Sequence, residues 1–156
     1  GVPETLPEKT VTGLELREVT VSDARLEALD RRVFPAARPE FWQGWVQASG
    51  HRTVQAVLDG DLAGFGTLRP CREGYKVGPL VAQSSHVAEA ILARLLKGVE
   101  PGAEVFLDVP EPNGAAVGVA QSLGLAPVFE TARMYRGAAP EIDVDKVFGV
   151  TTFELG

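Results

Sequence analysis

The sequence predicts a mixed α/β (α+β) fold, one central sheet of about seven strands flanked by four helices, and three observations carry it. Residues 53–82 read as successive runs of period two broken by Gly and Asp, which is the pattern of an antiparallel meander. A strongly amphipathic helix then leads into EVFLDV (104–109), whose continuous apolar centre suits a strand covered on both faces, so strand, helix and strand make a right-handed parallel crossover. Finally, 156 residues at 45% apolar and 23% charged are enough for one hydrophobic core.

Residues 1–13 mix prolines, threonines and charges without period and read as a linker or tail, leaving 14–156 as one domain. Leu14, Leu16 and Val19 to Val21 open a strand. Ser22 is the expected N-cap of a first helix with Leu26, Leu29 and Val33 on one face and a Glu27 to Arg31 pair at i,i+4, ending at Phe34 before Pro35. Pro39 starts a second helix with Phe41, Trp42, Trp45 and Val46 on its inner side and Gly50 past its end. The runs 53–60 and 61–72 form a hairpin about Asp59-Gly60-Asp61, and 74–82 extends it. Ser84 or Ser85 caps a third helix with Glu89 in its first turn, a face of Val87, Ala88, Ile91, Leu92, Leu95 and Leu96, and Gly98 as its stop. Asn113 caps a fourth, closed by Gly124. Two more strands, 127–137 and 147–156, complete a sheet with one parallel pair in its middle.

Charge and cysteine content narrow the function. The formal charge of −6 argues against a nucleic-acid clamp, which needs clustered cations. No apolar run approaches the ~20 residues of a membrane span. The lone Cys71 cannot close an internal disulfide, as expected of a cytoplasmic protein. His51, Cys71 and His86 are too scattered for a metal spacing, so no metal site is expected. Gly64-Phe65-Gly66 lies inside a strand rather than opening a helix, which points to close packing and not to a dinucleotide fingerprint.

The informative stretches are GPLVAQSSHVAEAILARLL and LDVPEPNGAAVGVAQSLGL. A helix N-terminus offers unpaired amides and positive dipole to a phosphate. Gly78-Pro79 just before it interrupts strand pairing, because proline lacks the ladder donor. A strand that splays there from 104–109 would expose backbone groups to an extended, amide-bearing molecule.

The order of elements and these motifs resemble the GNAT superfamily of acyl-CoA-dependent N-acyltransferases over almost all of residues 14–156. GYKVGPLVA, LDVPEPN, ETARMYRG and VFGVTTFELG are similar to the C-terminal GNAT domain of bacterial tandem acetyltransferases. The resemblance implies a GNAT fold with a splayed parallel strand pair, acetyl-CoA or another acyl-CoA as co-substrate, and direct transfer of the acyl group to a primary amine of a small molecule or peptide. A second GNAT domain or a homodimer is the partner it suggests. The family's pyrophosphate loop has Gln or Arg, two variable positions, Gly, one variable position, then Gly or Ala. Here the loop is Gln83-Ser84-Ser85-His86-Val87-Ala88, with His86 where the first glycine belongs.

By the same resemblance the cofactor-binding residues are Leu80, Val81 and Ala82 through their backbone, Gln83, Val87 and Ala88 in the loop, and Asn113. The tyrosine that often protonates the departing thiolate is replaced by Ala120. An amine must shed a proton as it attacks a thioester, so a carboxylate or phenol is wanted nearby; Glu73, Tyr75, Asp108 and Tyr135 are the catalytic candidates. Trp42 and Glu111 are the candidates for the acceptor side. The substituted loop and missing tyrosine also fit an alternative, a catalytically degenerate GNAT-fold module that binds or scaffolds an active partner.

Overall fold

The structure is a computed structural model that describes residues 1–3 and 11–154. The meander forms as expected. Strand β1 (Leu14–Val19) pairs antiparallel with β2 (Arg52–Leu58), β2 with β3 (Asp61–Pro70), and β3 with β4 (Tyr75–Ala82). The β2–β3 hairpin turns on two residues with positive φ, Asp59 (52°) and Gly60 (93°), the conformation that matches strand twist.

Helices α1 (Ala24–Val33) and α2 (Pro39–Gln47) cover one face of the sheet; α3 (Ser85–Leu96) and α4 (Gly114–Ser122) cover the other. Residues of β4 alternate between the two cores: Leu80 and Ala82 face α3 and α4, whereas Val81 faces α1 and α2. Each of the buried Ile91, Leu92 and Leu95 contributes about 1.5–3 kcal/mol over leaving it in water. Gly64 and Gly66 let α3 approach: a Cβ on Gly64 would meet the Val81 carbonyl oxygen at 2.5 Å, and one on Gly66 would meet Ile91 and Leu80 side-chain carbons at 2.9 Å.

Several local expectations are corrected. Asp23, not Ser22, caps α1, accepting from the amides of Arg25 and Leu26. Glu27 accepts from the Ser22 hydroxyl (3.3 Å) while Arg31 donates to the Phe34 carbonyl (3.1 Å), so the Glu27 to Arg31 pair does not form. Glu89 lies beyond the first turn of α3. The capping by Ser84 and Asn113 holds: their oxygens accept from the amides of Val87 (3.3 Å) and Ala116 (3.1 Å).

The larger differences lie in the last third. Strand β5 is only Val105–Leu107, and the last strand, β6, only Val147–Gly149, preceded by a 3-10 turn at Val144–Lys146. The expected strand 127–137 is absent; residues 126–139 are exposed and outside any helix or strand. Pro127 supplies no ladder donor, and β5 offers a short edge to pair with. The sheet thus has six strands among the described residues, and the parallel pair ends the β1-β2-β3-β4-β5 path instead of occupying its middle. Of the expected linker 1–13, residues 4–10 lie outside the described residues, while Gly1 exchanges backbone hydrogen bonds with Val105 (3.0 and 2.7 Å). Residues 155–156 of the expected last strand also lie outside the described residues. Among the described residues no helix is long and apolar enough to cross a membrane.

Candidate active site

Strand β4 and its parallel neighbour stay together for three residues and then part. Tyr75, Lys76 and Val77 face Val105, Phe106 and Leu107; beyond them the two chains diverge. The break coincides with Gly78-Pro79. Across the other edge the register runs Gly66 to Leu80 but Leu68 to Val77, so two residues of β4 oppose the single Thr67, a bulge that turns the strand. The wedge is therefore written into the sequence by one dipeptide.

At the top of the wedge α3 begins. Its Ser85 and His86 amides have no intrahelical partner, and Gln83 and His86 are exposed beside them. This end suits a diphosphate. Val87 and Ala88 are buried beneath it.

The floor of the wedge is filled by the chain itself. Strand β6 runs antiparallel on the far half of β4, Leu80 facing Gly149 and Val81 facing Val147, and the Val150 amide donates to the Asp108 carbonyl at 2.9 Å. The fit is close: a Cβ on Gly78 would overlap the Val150 carbonyl oxygen, and one on Gly149 would meet Leu107 at 2.6 Å. Leu80 and Val81 are thus paired on both edges, which closes them to a pantetheine arm in this arrangement; Ala82 pairs with Gly64 and lies beyond β6.

Asn113 is part of the same floor. It is 4% exposed, its Oδ1 caps α4, and its Nδ2 faces the carbonyl oxygens of Val144, Asp145 and Val147 at 3.3, 3.0 and 2.9 Å.

Of the four catalytic candidates, one stands at the wedge. Asp108 follows β5 directly and its carboxylate pairs with Lys76. Tyr75 lies at the opposite end of β4, roughly 16 Å along the strand from Leu80, and Glu73 lies beyond it in an exposed turn. Tyr135 is 43% exposed in the irregular segment, with Arg133 over its ring at 5.4 Å. Of the acceptor-side candidates, Glu111 is exposed, whereas Trp42 is wholly buried, edge-on to Phe65 at 5.1 Å.

Three further residues join them. Asp30 is 2% exposed and takes two hydrogen bonds from Arg38 (2.8 and 2.7 Å), and Arg38 also donates to the Thr151 hydroxyl (3.1 Å). The Arg38 guanidinium lies 3.8 Å over the Phe34 ring. This cluster lines a pocket with Pro79, Val81 and Pro110 where the wedge meets the α1 and α2 face. Asp30 had a sequence signal: it shares the buried face of α1 with Leu26 and Val33, and a carboxylate there needs a partner. Arg38, eight residues on and past the end of α1, and Thr151, 113 positions beyond Arg38, had none.

Residues 26–149 match the model of the acetyltransferase (GNAT) domain. The chain belongs to the GNAT acetyltransferase family. This GNAT domain is 28% identical over 128 residues to holothin acyltransferase of Pseudoalteromonas sp. (strain SANK 73390), covering 81% of this chain and 43% of that protein. A Pyrococcus horikoshii protein assigned to the acetyltransferases has the same fold, with a TM-score of 0.77 and 24% identity over 99% of this chain and 50% of that one. The aminoglycoside acetyltransferase AAC(6')-Iy, solved with a bisubstrate analogue, CoA-S-monomethyl-acetylneamine, aligns at a TM-score of 0.58 and 16% identity, over 81% of this chain and 99% of that one. The GNAT domain spans less than half the length of the curated relative.

Proposed function

We propose that this domain is an acyl-CoA-dependent N-acyltransferase that moves an acetyl group to a primary amine by direct transfer. The observation that carries the reading is the parting of β4 and β5 after Val77 and Leu107, beside the open end of α3, in a chain of the GNAT family. Acyl-CoA would supply the thioester. The residues' part is to grip a diphosphate through the Ser85 and His86 amides beside Gln83, over the buried Val87 and Ala88, and to offer the β4 backbone along the wedge, at Ala82 as the strands stand and at Leu80 and Val81 once β6 has left them. Asp108, held by Lys76 at the apex where the strands part, is the best placed of the candidates to take the amine's proton. The acceptor is a small-molecule or peptide amine; proteins of like fold are named both for aminoglycosides and for a ribosomal-protein alanine, and the curated relative is named for holothin. Relatives about twice as long leave room for a further domain beside residues 14–156, the place a second GNAT domain would take, and the lone Cys71 supports a reducing, cytoplasmic setting.

The degenerate-module alternative draws on β6 lying in the wedge and on His86 in the loop. Calorimetric titration with acetyl-CoA and CoA separates the two, followed by thiol release with a panel of primary amines. Micromolar binding and amine-dependent release support the transferase; no binding at millimolar cofactor supports the module. Exchanging His86 for Gly should tighten binding where the side chain obstructs the diphosphate.

A further inference from the structure

We propose that residues 144–151 form a displaceable strap across the wedge and that the Asn113 side chain is its latch. What the opened wedge admits rests on the acyl-CoA reading above. The strap itself stands on geometry. Its near end, the 3-10 turn, sits on the Asn113 amide, whose donors are spent on three carbonyls of this one segment and whose oxygen is spent on α4. Its middle pairs with β4, and with the end of β5 through Val150. Its far end is held by Thr151 on Arg38.

Two features make this segment the part of the sheet that can leave. Its pairing with β4 is short, whereas β1, β2, β3 and β4 pair over six or more positions each, and short, terminally held elements open well before long ones. The chain leading to it, residues 126–139, is exposed and outside any helix or strand, so the tie that release must break on this side is Asp143, whose amide donates to the Arg32 carbonyl (2.9 Å) and whose carboxylate pairs with the Arg32 guanidinium at the exposed surface. Phe148, 1% exposed, opposes release and keeps the closed form populated. Opening removes β6 from Leu80 and Val81, so the edge that the acyl carrier needs and the edge the strap covers are the same. Asn113 is then a positioning residue: it sets how often the wedge is free.

Asn113→Asp tests this directly. It keeps an oxygen to cap α4 but replaces the amide donor with a carboxylate facing three carbonyl oxygens. Thr151→Val loosens the other end without changing volume. Hydrogen exchange of a peptide spanning 144–151 and calorimetry with acetyl-CoA are read on wild type and both variants. The latch predicts at least tenfold faster exchange of this peptide in Asn113→Asp, with β2 and β3 peptides unchanged, and at least tenfold tighter acetyl-CoA binding; Thr151→Val shows smaller changes of the same sign. Unaltered exchange, or binding weakened by Asn113→Asp while exchange rises, overturns the proposal. Faster exchange with no acetyl-CoA binding in any of the three proteins rejects the acyl-CoA reading and leaves the latch supported.

Discussion

The two edges of β4 are built differently. Toward β3 it carries an antiparallel ladder along its length, interrupted once by the Gly78-Pro79 bulge. Toward the other side it is paired in pieces, three residues parallel to β5 and then Leu80 and Val81 antiparallel to β6, brought from far along the chain. The first edge is written locally, by the short 71–74 connection, where the Cys71 amide donates to the Gly74 carbonyl (3.1 Å), and by alternating side chains. The second depends on distant segments meeting, and the cleft sits where that patchwork has a seam.

The comparison can be broken most sharply beneath the seam. Asp30→Ala leaves the Arg38 guanidinium buried with no countercharge, and is expected to cost about 3–5 kcal/mol in denaturant unfolding, the usual loss for one partner of a buried pair. Phe65→Ala on the continuous edge removes a wholly buried ring and should cost about 3–5 kcal/mol as well. Phe148→Ala should cost clearly less than Phe65→Ala in the same assay, because β6 can release without global unfolding. Equal losses would place the two edges on the same footing.

Gly64→Ala is a milder probe. Its Cβ would press on the Val81 carbonyl oxygen and Ile91, so a loss of about 1–3 kcal/mol is expected by overpacking, read as a lower melting temperature. The smallest effect is on pH. Burial, with a further contribution from the nearby Arg69 charge, holds His51 below its ordinary value, opposed by a backbone hydrogen bond with Trp45. The unfolded chain therefore binds this proton more readily than the folded one. The stabilisation is complete above the ordinary value of 6.5 and is lost as pH falls from there toward the lower folded value. His51→Gln should flatten that slope in melts between pH 7.5 and 5.5.

How much was legible follows the same division. Alternation at 53–82, the Asp59-Gly60 turn and the apolar face from Val87 to Leu95 lie within a few residues of one another, and each element formed where its pattern stood. Gly78-Pro79 announced the parting of β4 and β5 for a physical reason, the missing donor. Residues 127–137 misled because strand composition alone makes no strand without an edge to pair with. Asn113 was singled out correctly as a cap, yet its amide turned toward Val144, Asp145 and Val147, contacts more than 30 positions away that no local pattern encodes. The bond of Arg38 to Thr151, 113 positions away, was hidden for the same reason.

The central claim is that β4 and β5 part and that the chain's own β6 lies between them. Nuclear Overhauser contacts of the ligand-free protein test it most directly. Cross-strand contacts from Leu80 and Val81 to Val147 and Gly149 are predicted; contacts from Leu80 and Val81 to Val109, Pro110 and Glu111, with β5 running on beside β4, would contradict it.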